Sequence, residues 1–423
     1  MTAASAASPS VVRCADCGTT FDDRTAHATC PACGGLLAVE HRSPPVVGAA
    51  LRARFDIRAR DPMGDSASSG VWRYRELVLP GATRAEIVSH PEGDTPLLDR
   101  EAVRAHAGLA WLRLKHEGHN PSGSFKDRGM TVALTQARRA GARAVACAST
   151  GNTSASLAMY AAQAGLPAFV LVPAGRVALG KLAQTVAYGA RVVQVRGDFD
   201  DCLRLTRDAA ERLGVYLVNS LNPFRLEGQK TIVLELLQQL GWEAPDWIAL
   251  PAGNLGNTSA FGLALAQAYA HGLIDRVPRL LAVQAAGAAP FAQAFREGFV
   301  ERRRMKAETR ATAIRIGDPA SWDRAVAAIR DTRGAVVAVS DEEIFDAKRV
   351  IDRAGVGCEP ASAASVAGVR AMVQRGDIRP NDRVVAVLTG HLLKDPEAVE
   401  LPAPGESLEP DQVLARLERE LTQ

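Results

Sequence analysis

The sequence contains no run of about 18 uninterrupted apolar residues, so it offers no helix that would span a bilayer. Its first dozen residues, MTAASAASPSVV, lack the basic start and long apolar core of a secretion signal, and a cytoplasmic setting is expected. An excess of charge is missing too. A net charge of +3 on 423 residues gives no reason to expect nucleic acid, and the one dense basic run, ERRRMK at 301–306, reads as a solvated surface segment. Also absent is the G-x-G-x-x-G pattern after a first strand, with an acidic residue about 20 positions on, that a dinucleotide site requires. What is left reads as a soluble globular chain, 47% apolar and 23% charged, long enough for two or three domains with their own cores.

Cysteine is sparse, and four of the seven are bunched near the amino terminus. Cys14, Cys17, Cys30 and Cys33 form two C-x2-C pairs, each followed by glycine (CADCG, CPACGG), which lets a tight turn aim two thiolates at one tetrahedral ion. The spacing is that of a zinc ribbon with a structural metal, since four thiolates close the coordination sphere. The competing readings are a disulfide pair, which a cytoplasmic setting disfavours, and a ribbon that folds with its metal weakly held. Cys147, Cys202 and Cys358 stand in apolar or helical contexts and read as small core residues.

From about residue 108 a single rhythm takes over: a short β-branched run, a Gly, Asn or Ser turn, then an amphipathic stretch. The runs are AWLRL, RAVACAS, AFVLVP, RVVQVRG, VYLVNS, WIALP, RLLAVQA, AVVAVS and RVVAVLTG. Strands alternating with helices predict parallel α/β sheet covered on both faces, with ligands at the carboxyl ends of the strands. The motifs stand where that rule wants them. GNTSA follows one strand at 151–155 and another at 256–260, and the second copy is extended to GNLGNT. Each copy alone reads as a helix cap. The extended one also suits backbone N–H groups wrapping a phosphate.

Lys126, in HNPSGSFKDRG (119–129), sits where helical periodicity begins. A helix amino terminus disfavours a protonated ammonium, so the lysine is expected nearer its neutral, nucleophilic form. A nucleophilic lysine, a phosphate cradle and the late strand end LTGHLLKDP (388–396) together call for an aldehyde, a phosphate and a polar ring atom. Pyridoxal phosphate carries all three, and Lys126 is placed to form a Schiff base with it.

At this point a family resemblance is visible. GVWRYRELVLP (70–80), GDTPLL (93–98), NPSGSFKDRGM (120–130), STGNTSAS (149–156), NSLNPFRLEGQKT (219–231), PAGNLGN (251–257), TAIRIGDPASW (312–322), EPASAAS (359–365) and LTGHLLKDP resemble the threonine synthases. These are fold-type II pyridoxal phosphate enzymes, similar to the tryptophan synthase β chain. The resemblance covers about residues 70 to 396, and the cysteine knuckles resemble an amino-terminal extension common in the family. Several segments are shared with threonine dehydratases; NSLNPFRLEGQKT and TGHLLKDP favour the synthase.

By motif, the resemblance implies that Lys126 is the Schiff-base lysine and proton shuttle, and that Phe125 lines the cofactor. It implies that Asn152 bonds the ring's phenolic oxygen, that Gly253, Asn254, Leu255, Gly256 and Asn257 hold its phosphate, and that Thr389 faces the pyridine nitrogen. Ser149, Thr153, Ser220 and Arg225 would meet the substrate, Arg225 offering a guanidinium fork to a phosphoryl group. A salt bridge from Arg225 to Glu227 or another carboxylate is the structural alternative. The implied reaction converts O-phospho-L-homoserine and water to L-threonine and phosphate.

A relative acting on another activated amino acid, such as a phosphoserine-dependent replacement enzyme or a threonine/serine dehydratase, stays open. So does a catalytically silent cofactor-binding protein, against which the intact Lys126 argues. Three departures from the family pattern stand out. His90 and Pro91 alter the approach to the GDTPLL loop, Leu392 replaces a frequent Gly and adds bulk near the cofactor ring, and Ser122 stands where Thr is frequent.

The expected architecture is a two-domain parallel-sheet fold with a small zinc-ribbon-like knuckle. Residues 1–45 form the knuckle, 46–129 with 222–400 a large cofactor domain, 130–221 a smaller inserted α/β domain, and 401–423 a tail or helix. The family suggests a homodimer acting on a small molecule, with no nucleic acid or membrane partner.

Overall fold

The computed structural model describes residues 8–60, 69–175, 179–399 and 407–421, so parts of each expected segment, and of the 401–423 tail, lie outside the described residues. Three short strands open the chain: β1 (Ser10–Cys14), β2 (Thr20–Asp22) and β3 (Leu37–His41). They pair antiparallel in the order β2-β1-β3, with Val12 opposite Val39. The pleat turns Val12, Cys14, Leu37 and Val39 inward, where they join one of the large hydrophobic cores.

Next come β4 (Leu97–Leu98) and β5 (Trp111–His116). They are followed by β6 (Ala144–Ala148), β7 (Ala168–Pro173), β8 (Arg191–Val195) and β9 (Val215–Leu217), then by β10 (Trp247–Pro251), β11 (Arg279–Ala285), β12 (Ala335–Val339) and β13 (Arg383–Leu388). Strands β5 to β13 are the nine apolar runs read from the sequence, and they divide between two sheets. Four form a parallel sheet ordered β8-β7-β6-β9; the other five, with β4 added, form a six-stranded sheet ordered β12-β11-β10-β13-β5-β4, parallel except at its β4 edge. Every residue of β6 and β10 is buried, as continuous apolar strands between helical layers must be. Among the described residues no helix is long and apolar enough to cross a membrane.

The helix Lys126–Arg139 is anchored by buried charge. Arg128 donates to Glu117 Oε2 at 2.7 Å and to Glu235 Oε1 at 2.7 Å, and Lys115 Nζ donates to Glu235 at 2.6 Å. All four side chains are out of water, so removing one partner would strand a charge. A second contact fixes this helix against Pro223–Gln229. A Cβ on Gly228 would lie 1.8 Å from Arg128 O, and one on Gly129 would lie 2.9 Å from Arg225 O, so the two backbones touch with no room for side chains.

Candidate active site

A cavity of about 430 Å³ opens at the carboxyl ends of the strands, between the two parallel sheets. Every residue expected at the cofactor or the substrate lies on its wall: Phe125, Lys126, Ser149, Asn152, Thr153, Ser220, Arg225, Gly253 through Asn257, and Thr389. A larger cavity, about 680 Å³, lies at the amino ends of β10 to β13, between Asp246, Arg279 and Asp382, and contains none of them.

Lys126 is the first residue of its helix, with Nζ 3.8 Å from the centre of the Phe125 ring. Its pKa is lowered to about 7, first by burial and then by the Arg225 guanidinium, while Glu359 opposes the shift. The neutral tendency expected from the helix terminus thus has other main sources. The turn before Lys126 is locked by Asp127, which accepts from Ser122 N at 2.6 Å, Ser122 Oγ at 2.5 Å and Ser156 Oγ at 2.6 Å. Ser122 therefore supplies the anchoring hydroxyl at the position where Thr is frequent.

Leu255 precedes the helix Gly256–Ala270 in a left-handed conformation (φ 63°), uncommon for a residue with a side chain. The turn leaves the backbone N–H groups of residues 253–257 without a protein acceptor among the described residues. Asn254 is held on both sides: its Nδ2 donates to Ser220 Oγ at 2.6 Å, and its Oδ1 accepts from Ala320 N at 2.7 Å. Asn257 Oδ1 accepts from Gln229 Nε2 at 2.7 Å. Across the cavity, Asn152 Nδ2 donates to Glu359 Oε2 at 2.9 Å, and Thr389 Oγ1 lies 3.0 Å from Ser362 Oγ.

Arg225 is 3% exposed and has no carboxylate partner among the described residues. Nη1 donates to Val218 O at 3.2 Å, Nη2 reaches Gln229 Oε1 only at 3.5 Å, and Nε has no partner among the described residues. Burial pulls its pKa down to about 10. Glu227, the carboxylate that sequence spacing offered it, pairs with Lys230 and His41 instead.

One other expectation needs correction. Leu392 is not on the cavity wall; it packs over Gly357, where an added Cβ would lie 3.3 Å from Leu392 Cβ. The loop after His391 turns this side chain away, so its bulk does not narrow the site. His90 and Pro91 are exposed and away from the wall. The sequence reading missed Glu359, Gln229 and Phe199, all on the wall. Glu359 stands just before Pro360 at a helix start and reads as a cap; only the EPASAAS motif marked it. Burial raises its pKa, with Asn152 and Lys126 opposing.

In the knuckle, the sulfurs of Cys14, Cys17, Cys30 and Cys33 all lie within 4.8 Å of one another. Gly18 and Gly34 take the positive φ values, 73° and 75°, that close the two turns.

Comparison with known proteins agrees with this geometry. The family model "Pyridoxal-phosphate dependent enzyme" matches residues 88–390. A threonine synthase of Methanocaldococcus jannaschii is 45% identical over 91% of this chain and 93% of its own, and one of Synechocystis is 48% identical over 79% and 87%. The chain belongs to the pyridoxal-phosphate dependent enzymes, and within them to the threonine synthase family. Among solved structures, threonine synthase from Escherichia coli superposes with a TM-score of 0.72 at 19% identity, covering 93% of this chain and 92% of its own. A processed threonine deaminase from Solanum lycopersicum gives 0.64 at 20% identity, covering 85% and 96%. At these identities the structures speak for the fold alone.

The cavity fits the family's cofactor. Its volume suits a small ring with a phosphate arm, the N–H groups of 253–257 are free to receive an anion at a helix amino terminus, and Lys126 is poised near neutrality for an aldehyde.

Proposed function

We propose that this chain converts O-phospho-L-homoserine and water to L-threonine and phosphate, with pyridoxal phosphate held at Lys126. The buried, carboxylate-free Arg225 carries the reading: a desolvated guanidinium on the wall beside Lys126 calls for an anionic ligand. The threonine synthase names of relatives at 45% and 48% identity support the same reaction.

When bound, the cofactor supplies an aldehyde that captures an amino group and a ring that accepts electrons from a neighbouring carbanion. In our assignment the N–H groups of Gly253 to Asn257 hold its phosphate, Phe125 lies along its ring, Thr389 meets its ring nitrogen and Asn152 its phenolic oxygen. Ser149 and Thr153 bind the substrate carboxylate. Arg225, with Ser220 beside it, holds the phosphoryl group and receives it as it leaves Cγ. Lys126 Nζ removes the proton at Cα, gives that proton up, and as the free amine again removes one at Cβ; after water has added at Cβ it returns a proton to the carbon chain. An amine with a pKa near 7 is suited to both directions.

The smaller sheet contributes Ser149 and Asn152 and the larger one Thr389 and the 253–257 loop, which supports the domain division drawn from the sequence and closure over substrate. A structural zinc on the four cysteines, a homodimer and a cytoplasmic setting complete the proposal. Metal analysis of protein purified without chelator tests the first and sedimentation the second. For the activity, purified protein is incubated with O-phosphohomoserine, and threonine and phosphate should appear in equal amounts. Preferred turnover of serine or threonine would make the chain a dehydratase.

A further inference from the structure

The helix Pro223–Gln229 has two functional faces. Arg225 looks into the cavity, while Glu227, two residues and roughly 200° further round, looks the other way. There it meets the amino-terminal sheet. His41, the last residue of β3, lies with Nε2 at 2.9 Å from Glu227 Oε2, and Ser10 Oγ in β1 lies 2.7 Å from His41 Nδ1. An Nε2–H donating to the carboxylate and a Ser10 hydroxyl donating to Nδ1 satisfy both ring nitrogens and fix the plane of the imidazole. His41 and Glu227 side chains are 4% and 2% exposed, so water does not compete for the contact. Lys230 Nζ donates to the same Glu227 oxygen. The other end of β3 is held as well, since Arg324 Nη2 donates to Leu37 O at 2.6 Å.

The opposite side of the helix leaves no slack. Gly228 lies against Arg128 O and Gly129 against Arg225 O, so the helix cannot move toward Lys126 without backbone collision. Backbone contact on one side and the His41–Glu227 contact on the other both hold it, with Phe224 and Leu226 seated in the hydrophobic core. Arg225 has only two weak or long contacts of its own, to Val218 O and Gln229 Oε1. The guanidinium goes where the helix puts it.

We propose that the amino-terminal three-stranded sheet is a positioning element of the anion site, with His41 acting through Glu227 to hold the helix that presents Arg225. The proposal rests on Arg225 as the phosphate-binding group. It gives the cysteine knuckle, which shares β1 and borders β3, a bearing on substrate affinity beyond the stability of the extension.

The test uses full-length protein loaded with pyridoxal phosphate, and inorganic phosphate as probe, with binding measured by calorimetry beside steady-state kinetics. His41→Leu should weaken phosphate binding and raise KM for O-phosphohomoserine by about fivefold or more, with kcat changed by less than about threefold and cofactor affinity unchanged. His41→Gln, which keeps an N–H for Glu227, should recover most of the loss. In an Arg225→Ala background, His41→Gln and His41→Leu should have no effect on phosphate affinity. If His41→Leu fails to fold, the comparison of His41→Gln and Ser10→Ala with the wild type carries the same test. A folded His41→Leu variant with wild-type phosphate affinity overturns the proposal, as does a loss confined to melting temperature and kcat. If Arg225→Ala itself leaves phosphate affinity unchanged, the reading of Arg225 fails first, and the two failures are told apart.

Discussion

The same five residues, GNTSA, occur at 151–155 and at 256–260, and the molecule uses them differently. The first copy starts its helix at Asn152, after Gly151; the second starts one residue earlier in the motif, at Gly256, after the left-handed Leu255. The serine does one job in both. Ser154 Oγ donates to Gly151 O at 2.8 Å and Ser259 Oγ to Leu255 O at 2.9 Å, in each case the carbonyl that precedes the helix. The asparagines diverge. Asn152, half-buried, spends its amide N–H on Glu359 across the cavity, whereas Asn257, buried, spends its carbonyl on Gln229 from a neighbouring helix. Local sequence fixes how the helix is capped, and the partner sheet decides what the asparagine reads. In the proposed function the first copy serves the reacting atoms and the second the anion cradle.

Both copies share the cavity wall with Lys126, and in the proposed function both serve it. Lys126→Ala is the largest break: turnover should fall at least about 10³-fold, and the absorbance of covalently held cofactor should vanish from a folded protein. A band that survives borohydride treatment and dialysis would assign the chemistry to another lysine. Arg225→Ala comes next, costing on the order of 2 to 5 kcal/mol in kcat/KM with O-phosphohomoserine and far less with an O-acetyl ester. Equal losses on the two substrates would make Arg225 a structural residue and remove the phosphate from the argument.

The asparagine pair tests the comparison directly. Asn257→Ala leaves the buried Gln229 Nε2 without its acceptor, so it should cost about 1 to 3 kcal/mol of stability and weaken cofactor retention in dialysis. Asn152→Ala removes a donor from a partly open wall. It should lower kcat while moving the melting temperature less than the Asn257 change does. Matching effects of the two variants on stability and on turnover would mean that both copies are caps and nothing more.

Much of this site was readable because strand-end motifs carry their own physics: glycine and asparagine where backbone must stay open, a lysine at a helix start. The nine strands were readable for a similar reason, each being a short β-branched run between turn residues. Their division between two sheets was not, since a strand buried on both faces carries no mark of its neighbours. Nor could spacing reveal the pairing of Glu227. Two residues from Arg225 on a helix, it points to the opposite side, and its partner His41 is 186 residues away. Leu392 was misjudged because distance along the chain from His391 says nothing about which way the following turn sends a side chain. Glu359 reads as an ordinary cap before proline until Asn152 is seen to reach it.

The smallest expected effect separates the two copies by pH. In the apoprotein the neutral amine of Lys126 is the form that captures the cofactor aldehyde, and its pKa is about 7. The capture rate should therefore rise with pH, by about tenfold between roughly pH 6 and pH 8, and level off above. Glu359 opposes the lowering of the Lys126 pKa, and the Asn152 hydrogen bond favours the ionised form of Glu359. Removing that bond raises the carboxyl's affinity for its proton, reduces the negative charge facing Lys126 and lets the lysine pKa fall further. The midpoint of the capture profile should accordingly move to lower pH in Asn152→Ala, and stay in place in Asn257→Ala, whose amide bonds Gln229 and touches neither charge. Stopped-flow absorbance with added pyridoxal phosphate measures both profiles. An unchanged midpoint in Asn152→Ala would mean that the first GNTSA does not tune the lysine, and a shift toward higher pH would reverse the sign assigned to Glu359.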